Sequence, residues 1–197
     1  MNTHVVFGED TFDRAVTAVK KVRERLERAT RTLEAAAIPH AVVGDNAVSA
    51  WVASVDESAV RSTQKVELLV RTCDFVRVKN ALIAAGCDYR HVNGIELFAD
   101  EATVHNRHSI QVLFAGVMVR PVDLYAAPDV EESQQIGSMR VLSLEPLVRM
   151  LLGIFRINDR VNLRDLIDVG LVDQSWPKRL PPELAARLQE LLDDPNG

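Results

Sequence analysis

Residues 41–48 read AVVGDNAV, and residues 61–70 read RSTQKVELLV. The first run is apolar, meets a glycine and continues into a second apolar segment, which predicts a short buried strand, a turn and a short helix. The second run predicts another buried strand, which opens with two charged residues, Lys65 and Glu67. A phosphate close to a glycine turn at a helix N-terminus is stabilised by free backbone N–H groups and the helix dipole. Gly44 would allow such a group to approach closely, although most glycines after a strand only turn the chain.

Outside these two runs, the periodicity predicts a long helix first, then a region of strands and helices, and a helical C-terminal part. The amphipathic helix spans 9–37 and ends before Pro39, and the fold class is α+β. With the two opening runs included, strands are expected at 40–43, 66–70, 109–114 and 117–120, and a hairpin at 89–98. Helices are expected at 46–53, 74–85, 144–157, 163–169 and 182–192.

These elements divide the chain into four parts that are expected to form one compact unit. They are an N-terminal helix (1–37), an α/β core (38–120), a polar connecting segment (121–142) and the C-terminal helices (143–197). The 197 residues suffice for one domain with a sizeable core.

Composition and charge argue against several classes of protein, although a local basic face that binds nucleic acid is not excluded. The net charge of −5 gives no general attraction to nucleic acids or anionic membranes, so nucleic-acid binding is not expected. No run approaches the roughly 18 apolar residues of a membrane helix, and the first ten residues do not read as a signal peptide. Two cysteines, Cys73 and Cys87, fit free thiols in a reducing compartment. A cytoplasmic protein is the expectation.

Both opening runs resemble the minimal nucleotidyltransferases related to the abortive-infection AbiEii toxin group. That family's pattern is close to V-G-G-x-A-V-x-x-W, followed by R-x-T-x-D-V-D-x-L-V. The segments LVRMLL at 147–152 and RINDRVNLRDLID at 156–168 resemble its helical R-M-K-L…R-x-K-D-x-x-x-L-x-D-x-x-D segment. The resemblance covers about residues 30–170 and implies a nucleotidyltransferase fold, in which the glycine turn holds a nucleotide phosphate and the D-x-D acids hold magnesium.

The resemblance also implies which residues would form the site. Those at the phosphate turn and along the triphosphate would be Gly44, Asp45, Asn46, Arg61, Thr63 and Lys65. Arg156 and Asp165 would line the cleft. Glu67 would be the remaining metal ligand, and Glu67 and Asp45 would be the degenerate catalytic acids.

Several positions depart from the family pattern. The second glycine is replaced by Asp45, the first metal-binding aspartate by Lys65, and the second by Glu67, whose side chain is one methylene longer. The family's helical lysine falls on Leu151, and strand 109–114 offers only Gln111 where the superfamily often has a third acid. Magnesium prefers carboxylates and phosphates in octahedral geometry, and Lys65 would oppose the ion by up to about 10 kcal/mol relative to an aspartate.

Three interpretations of the altered site remain open. Lys65 could form an ion pair with Asp45 or Glu67 and fill the lost metal site, or it could neutralise a phosphate directly. Alternatively, an enzyme could persist with Glu67 and Asp45 as displaced ligands. The sequence therefore predicts a divergent nucleotidyltransferase-fold protein with impaired or lost transfer, which binds a nucleotide or anion or acts in regulation. The alternative is an active enzyme that moves NMP from NTP to a hydroxyl on a protein, an RNA or a small molecule, with Mg²⁺ as its cofactor.

Other polar and aromatic residues receive simpler interpretations. His91, His105 and His108 match no zinc spacing with the cysteines. Asp165 and Asp168 are expected to form an ion-paired helix surface with nearby arginines. Trp51 and Trp176 are expected to pack in the core. The apolar C-terminal helices leave homo-oligomer formation open.

Overall fold

The computed structural model of the chain describes residues 9–100 and 109–194. Its helices are α1 (Glu9–Ala35), α2 (Gly44–Ala53), α3 (Phe75–Ala84), α4 (Leu144–Ile154), α5 (Ile157–Asp168) and α6 (Pro182–Asp193). Its strands are β1 (His40–Val43), β2 (Val66–Val70), β3 (Cys87–Val92), β4 (Ile95–Asp100), β5 (Ser109–Phe114), β6 (Ser133–Ile136) and β7 (Met139–Leu142). Short 3₁₀ turns lie at Glu57–Ala59, Thr72–Asp74 and Trp176–Arg179.

All seven strands form one mixed sheet in the order β3-β4-β5-β2-β1-β7-β6. The central pair, β1 and β2, is antiparallel, and each then pairs in parallel with its outer neighbour, β7 and β5. Within the central pair, Val43 lies opposite Glu67. This register brings the glycine turn after β1 next to the charged start of β2.

The apolar sequences of β1 and β2 follow from their central position. Every residue of β1 is buried, and β2 is buried except at Glu67, because both strands lie inside the sheet and α1 and α2 pack against this central pair. The α1 helix contributes Val22, Leu26, Ala29 and Leu33 to the core, at the three- and four-residue steps of an amphipathic helix. It ends at Ala35, two residues earlier than predicted, and Ala37 turns the chain with a φ of 49°.

The polar segment 121–142 differs from the expected simple connection. It contains the β6–β7 hairpin, and β7 joins the sheet beside β1. Because β6 is an edge strand and only half-buried, its sequence, SQQI, lacks the apolar character of the inner strands. The extended segment predicted at 117–120 is instead part of an irregular loop.

The C-terminal helices also differ in their boundaries. The helix predicted over 144–157 ends at Ile154, where Phe155 adopts a left-handed φ of 52°, and α5 begins at Ile157. The apolar spacing continues across this break, so periodicity alone did not reveal it. No helix in the described part of the chain has the length and hydrophobicity needed to cross a bilayer.

Both tryptophans pack as expected. Trp176 is buried, and the indole N–H of Trp51 donates to the backbone carbonyl of Leu142 at 3.0 Å. This bond ties α2 to the end of β7. The two tryptophans therefore serve packing between elements.

Candidate functional site

The glycine turn between β1 and α2 forms one side of the candidate site. Gly44 has a φ of 62°, which side-chain-bearing residues rarely adopt. A Cβ placed on it would overlap Oε2 of Glu67 and lie 2.9 Å from its Cδ. The Glu67 carboxyl group thus occupies the space against the turn that was expected to admit a phosphate.

Asp45, in the first turn of α2, is held by two hydrogen bonds. Its Oδ2 accepts from Thr63 Oγ1 at 2.9 Å, and its Oδ1 accepts from Asn162 Nδ2 at 2.8 Å. Asn162 lies on α5 and is 4% exposed. The Asp45 carboxylate therefore joins α2, the approach to β2 and α5, and both of its oxygens are already engaged.

The backbone of Lys65 is fixed by two side chains. Its N–H donates to Thr63 Oγ1 at 3.3 Å, and its carbonyl accepts from Asn46 Nδ2. This explains the positions of Thr63 and Asn46, which contact the backbone around Lys65.

The side chain of Lys65 is exposed, and no acid in the described ranges lies within 4 Å of its ammonium group. The ion pair with Asp45 or Glu67 that the sequence left open does not form. Thr63 and Asn162 already satisfy Asp45, and the Glu67 carboxyl lies against Gly44. The ammonium group is thus available to a ligand.

The opposite wall is formed by the start of α5. Oδ2 of the buried Asp159 accepts from the backbone N–H of Arg156 at 2.9 Å and from its Nε at 3.0 Å. This caps the helix and holds the Arg156 side chain at the site.

Glu67 is the most perturbed acid of the site. Burial and the nearby negative charge of Asp45 raise its pKa to about 7, although Lys65 and Arg156 act in the opposite direction. Near neutral pH the Glu67 carboxyl therefore exchanges between its neutral and charged forms.

Together these residues line a cavity of about 400 Å³, named here the phosphate cavity after the ligand that the sequence predicted at this turn. Its lining consists of Asp45, Lys65, Glu67, Arg156, Ile157, Asn158 and Asp159. A cavity of this size is within the range of small-molecule sites.

Two residues expected in this site lie next to it instead. Arg61 and Asp165 form an ion pair, with 3.4 Å between Arg61 Nε and Asp165 Oδ2. They line a neighbouring cavity of about 470 Å³ between α5 and α6, named here the α5–α6 cavity. Ile157 lines both cavities, so the two are adjacent.

Solved structures with a similar fold are nucleotidyltransferases. The antibiotic-resistance factor ANT(2'')-Ia aligns with a TM-score of 0.53 at 11% identity, over 89% of this chain and 91% of that chain. A protein from H. pylori assigned as a nucleotidyltransferase aligns with a TM-score of 0.49 at 18% identity, over 93% of this chain and 79% of that chain. No protein-family model and no curated protein matches the sequence. This chain has a nucleotidyltransferase fold.

The residues of this nucleotidyltransferase-fold site do not fit a magnesium ion. Both oxygens of Asp45 accept hydrogen bonds from side chains, Asp159 is bonded to Arg156, and Glu67 binds its proton up to about pH 7. Lys65 adds a positive charge at the same place. Within residues 9–100 and 109–194, no three acidic, histidine or cysteine side chains are grouped as a metal ion requires.

Among the described residues, the two cysteines and His91 are not grouped as zinc ligands. Cys73 is exposed and Cys87 buried, both as free thiols, while His91 Nδ1 lies 3.0 Å from Glu96 Oε1. His105 and His108 lie outside the described residues.

Gln111 of β5 pairs in register with Glu67, so the strand beside Glu67 provides an amide at the position where a third acid was considered.

Sequence reasoning missed two residues of the site, Asp159 and Asn162. A signal for each was present in the sequence. Asp159 is three residues after Arg156 at a helix start, the usual position of a capping acid. Asn162 falls on the same helical face as the buried Leu163 and Leu166, and a polar residue on such a face usually has a specific partner.

Proposed function

We propose that this chain is a nucleotidyltransferase-fold protein that binds a nucleotide by its phosphates without a metal ion and no longer transfers NMP. One observation carries this proposal. At the position where the family pattern has a metal-binding aspartate, the exposed Lys65 ammonium borders the phosphate cavity and has no acidic partner among the described residues.

The charges around the phosphate cavity support a phosphate ligand. One unit charge on a phosphate oxygen about 4 Å from the Lys65 ammonium contributes at most about 4 kcal/mol at an effective dielectric near 20, and solvent screening of this exposed side chain reduces that value. Arg156, although paired with Asp159, offers a second cation on the opposite wall. The three acids of the lining oppose a phosphate less than free carboxylates would, because Asp45 and Asp159 are already hydrogen-bonded within the protein and Glu67 is partly protonated near pH 7.

The same contacts weaken the case for magnesium-dependent transfer by Glu67 and Asp45. Asp45 would have to release Thr63 and Asn162 before it could bind an ion. Glu67 would have to lose a proton that it binds up to about pH 7. Phosphoryl transfer with two metals needs acids that are free to bridge both ions.

The proposal is tested by isothermal titration with ATP, GTP, CTP and UTP, each with EDTA and with magnesium. At least one nucleotide is expected to bind with micromolar affinity in EDTA. Lys65→Ala should weaken this binding at least tenfold, because it removes the main cationic contact.

Lys178→Ala is the matched control, since Lys178 is an exposed lysine in the 3₁₀ turn Trp176–Arg179, outside both cavities. It should leave the affinity unchanged. Binding that appears only with magnesium, or equal losses in both lysine variants, would overturn the proposal.

A further inference from the structure

The α5–α6 cavity combines apolar side chains with charged ones, most of which are paired with one another. Arg164, also in the lining, donates to the backbone carbonyls of Leu191 and Asp194. Ile157, Val161 and Leu191 supply the apolar surface. Beside them lie two ion pairs, Arg61–Asp165 at 3.4 Å and Arg160–Glu190 at 3.0 Å. Each pair presents N–H donors next to carboxylate acceptors, and neither adds net charge. This lining suits a flat, uncharged ring with polar edges more than a phosphate.

The position of this cavity relative to the phosphate cavity points to one ligand for both. Ile157 belongs to the lining of both and is itself 79% exposed, so the two cavities lie next to each other at this side chain. A ligand with phosphates at Lys65 would continue past Ile157 towards the Arg61–Asp165 pair. A nucleotide has this shape, with a charged end, a sugar and a flat ring.

We infer that the α5–α6 cavity binds the nucleobase of the nucleotide whose phosphates lie at Lys65. This inference rests on the proposed function and adds to it the part of the ligand that would give selectivity. The ring would pack on the apolar side chains of the cavity, and its polar edge would face Asp165 as an acceptor and Arg61 as a donor. Burial of the ring against these aliphatic side chains removes apolar surface from water, so such a contact can change affinity by about an order of magnitude.

The inference is tested by comparing nucleoside triphosphates with inorganic tripolyphosphate, both titrated in EDTA. Tripolyphosphate carries at least as much negative charge but has no base. The best of the four nucleotides is expected to bind at least tenfold more tightly than tripolyphosphate. Charge alone would give the opposite order.

Substitutions in the α5–α6 cavity then test whether the base binds there. Asp165→Asn should bring the nucleotide affinity down towards that of tripolyphosphate and leave tripolyphosphate binding unchanged. The control is Asp168→Asn, which changes the exposed acid one turn further along α5, outside the cavity. Ile157→Ala is a second variant that should fold, since this side chain is mostly exposed, and it should weaken nucleotides several-fold.

The outcomes separate the two proposals. If tripolyphosphate binds and nucleotides bind no more tightly, the base site is wrong while the phosphate site stands. Equal effects of Asp165→Asn and Asp168→Asn would also overturn the base site. If neither tripolyphosphate nor any nucleotide binds, the proposed function itself fails.

Discussion

At position 44 both the backbone and a neighbouring carboxyl group require glycine. The φ of 62° disfavours any side chain, by roughly 1–2 kcal/mol, and a Cβ would also overlap the Glu67 carboxyl. Only the second effect depends on Glu67. The two effects can therefore be separated by a pair of substitutions.

We expect Gly44→Ala to lower the free energy of unfolding by about 2–5 kcal/mol, because strain and overlap add. In a Glu67→Ala background the same change should cost only about 1–2 kcal/mol. Urea denaturation of the four proteins of this cycle measures the difference. An equal cost in both backgrounds would show that the Glu67 carboxyl does not lie against the turn.

The raised pKa of Glu67 predicts a specific dependence of stability on pH. Its value of about 7 exceeds the unfolded value of 4.5, so between these pH values the folded state binds more protons than the unfolded chain. The free energy of unfolding should therefore fall as the pH rises from 4.5 through 7. The contribution is on the order of 3 kcal/mol, and it is lost as the pH rises past 7.

The measurement is urea denaturation from pH 5 to 8 for the wild type and Glu67→Gln. The variant should lack the part of the decline that Glu67 causes. Glu24→Gln, at an exposed position on α1, should keep the wild-type profile. Parallel profiles for the wild type and Glu67→Gln would contradict the raised pKa.

Between elements, the hydrogen bond from Asn162 to Asp45 connects α5 with the glycine turn. Asn162→Asp would place a second carboxylate where the amide now lies, 2.8 Å from Asp45 Oδ1. This should lower the free energy of unfolding by roughly 3 kcal/mol or more at pH 8, from like-charge repulsion and the lost bond.

The reciprocal exchange tests whether the pair itself matters. Asp45→Asn combined with Asn162→Asp restores one amide and one carboxylate, and it should recover most of the lost stability. Thermal denaturation of the two single variants and the exchanged protein gives the coupling energy. If the exchanged protein is no more stable than Asn162→Asp alone, the two side chains do not interact as described.

The extent to which the fold could be predicted from the sequence differs from element to element. The buried strands β1 and β2 and the hairpin around Asn93 and Gly94 followed from apolar runs and turn residues, which are local signals. The β6–β7 hairpin did not, because an exposed edge strand needs few apolar residues. The break at Phe155 was hidden because the apolar face of α4 continues into α5 in the sequence.

The candidate site shows the same limit. The residues of the glycine turn and of the start of β2 could be named from their spacing, and the structure does bring Asp45, Lys65 and Glu67 to one cavity. Their partners could not be predicted, because Asn162 is 117 positions away from Asp45 in the chain. For the same reason, the sequence did not separate Arg61 and Asp165 from the phosphate cavity.

Over the whole molecule, the nucleotidyltransferase fold has a cavity at the β1–α2 turn, and the charges around this cavity differ from those that the family pattern would place there. The family pattern has an aspartate at position 65, which would attract a metal ion, and this chain has a lysine, which we propose attracts the phosphate itself. The sign of the magnesium effect on nucleotide binding therefore distinguishes the two kinds of site. Magnesium bound to a nucleotide reduces its negative charge and should weaken its contact with Lys65.

The most direct measurement is titration of the wild type and Lys65→Asp with the best-binding nucleotide, first in EDTA and then with excess magnesium. The wild type is expected to bind in EDTA and to bind equally or more weakly with magnesium. Lys65→Asp should lose binding in EDTA by at least tenfold and regain part of it with magnesium. If the wild type binds only when magnesium is present, Lys65 has not replaced the metal, and the central claim is wrong.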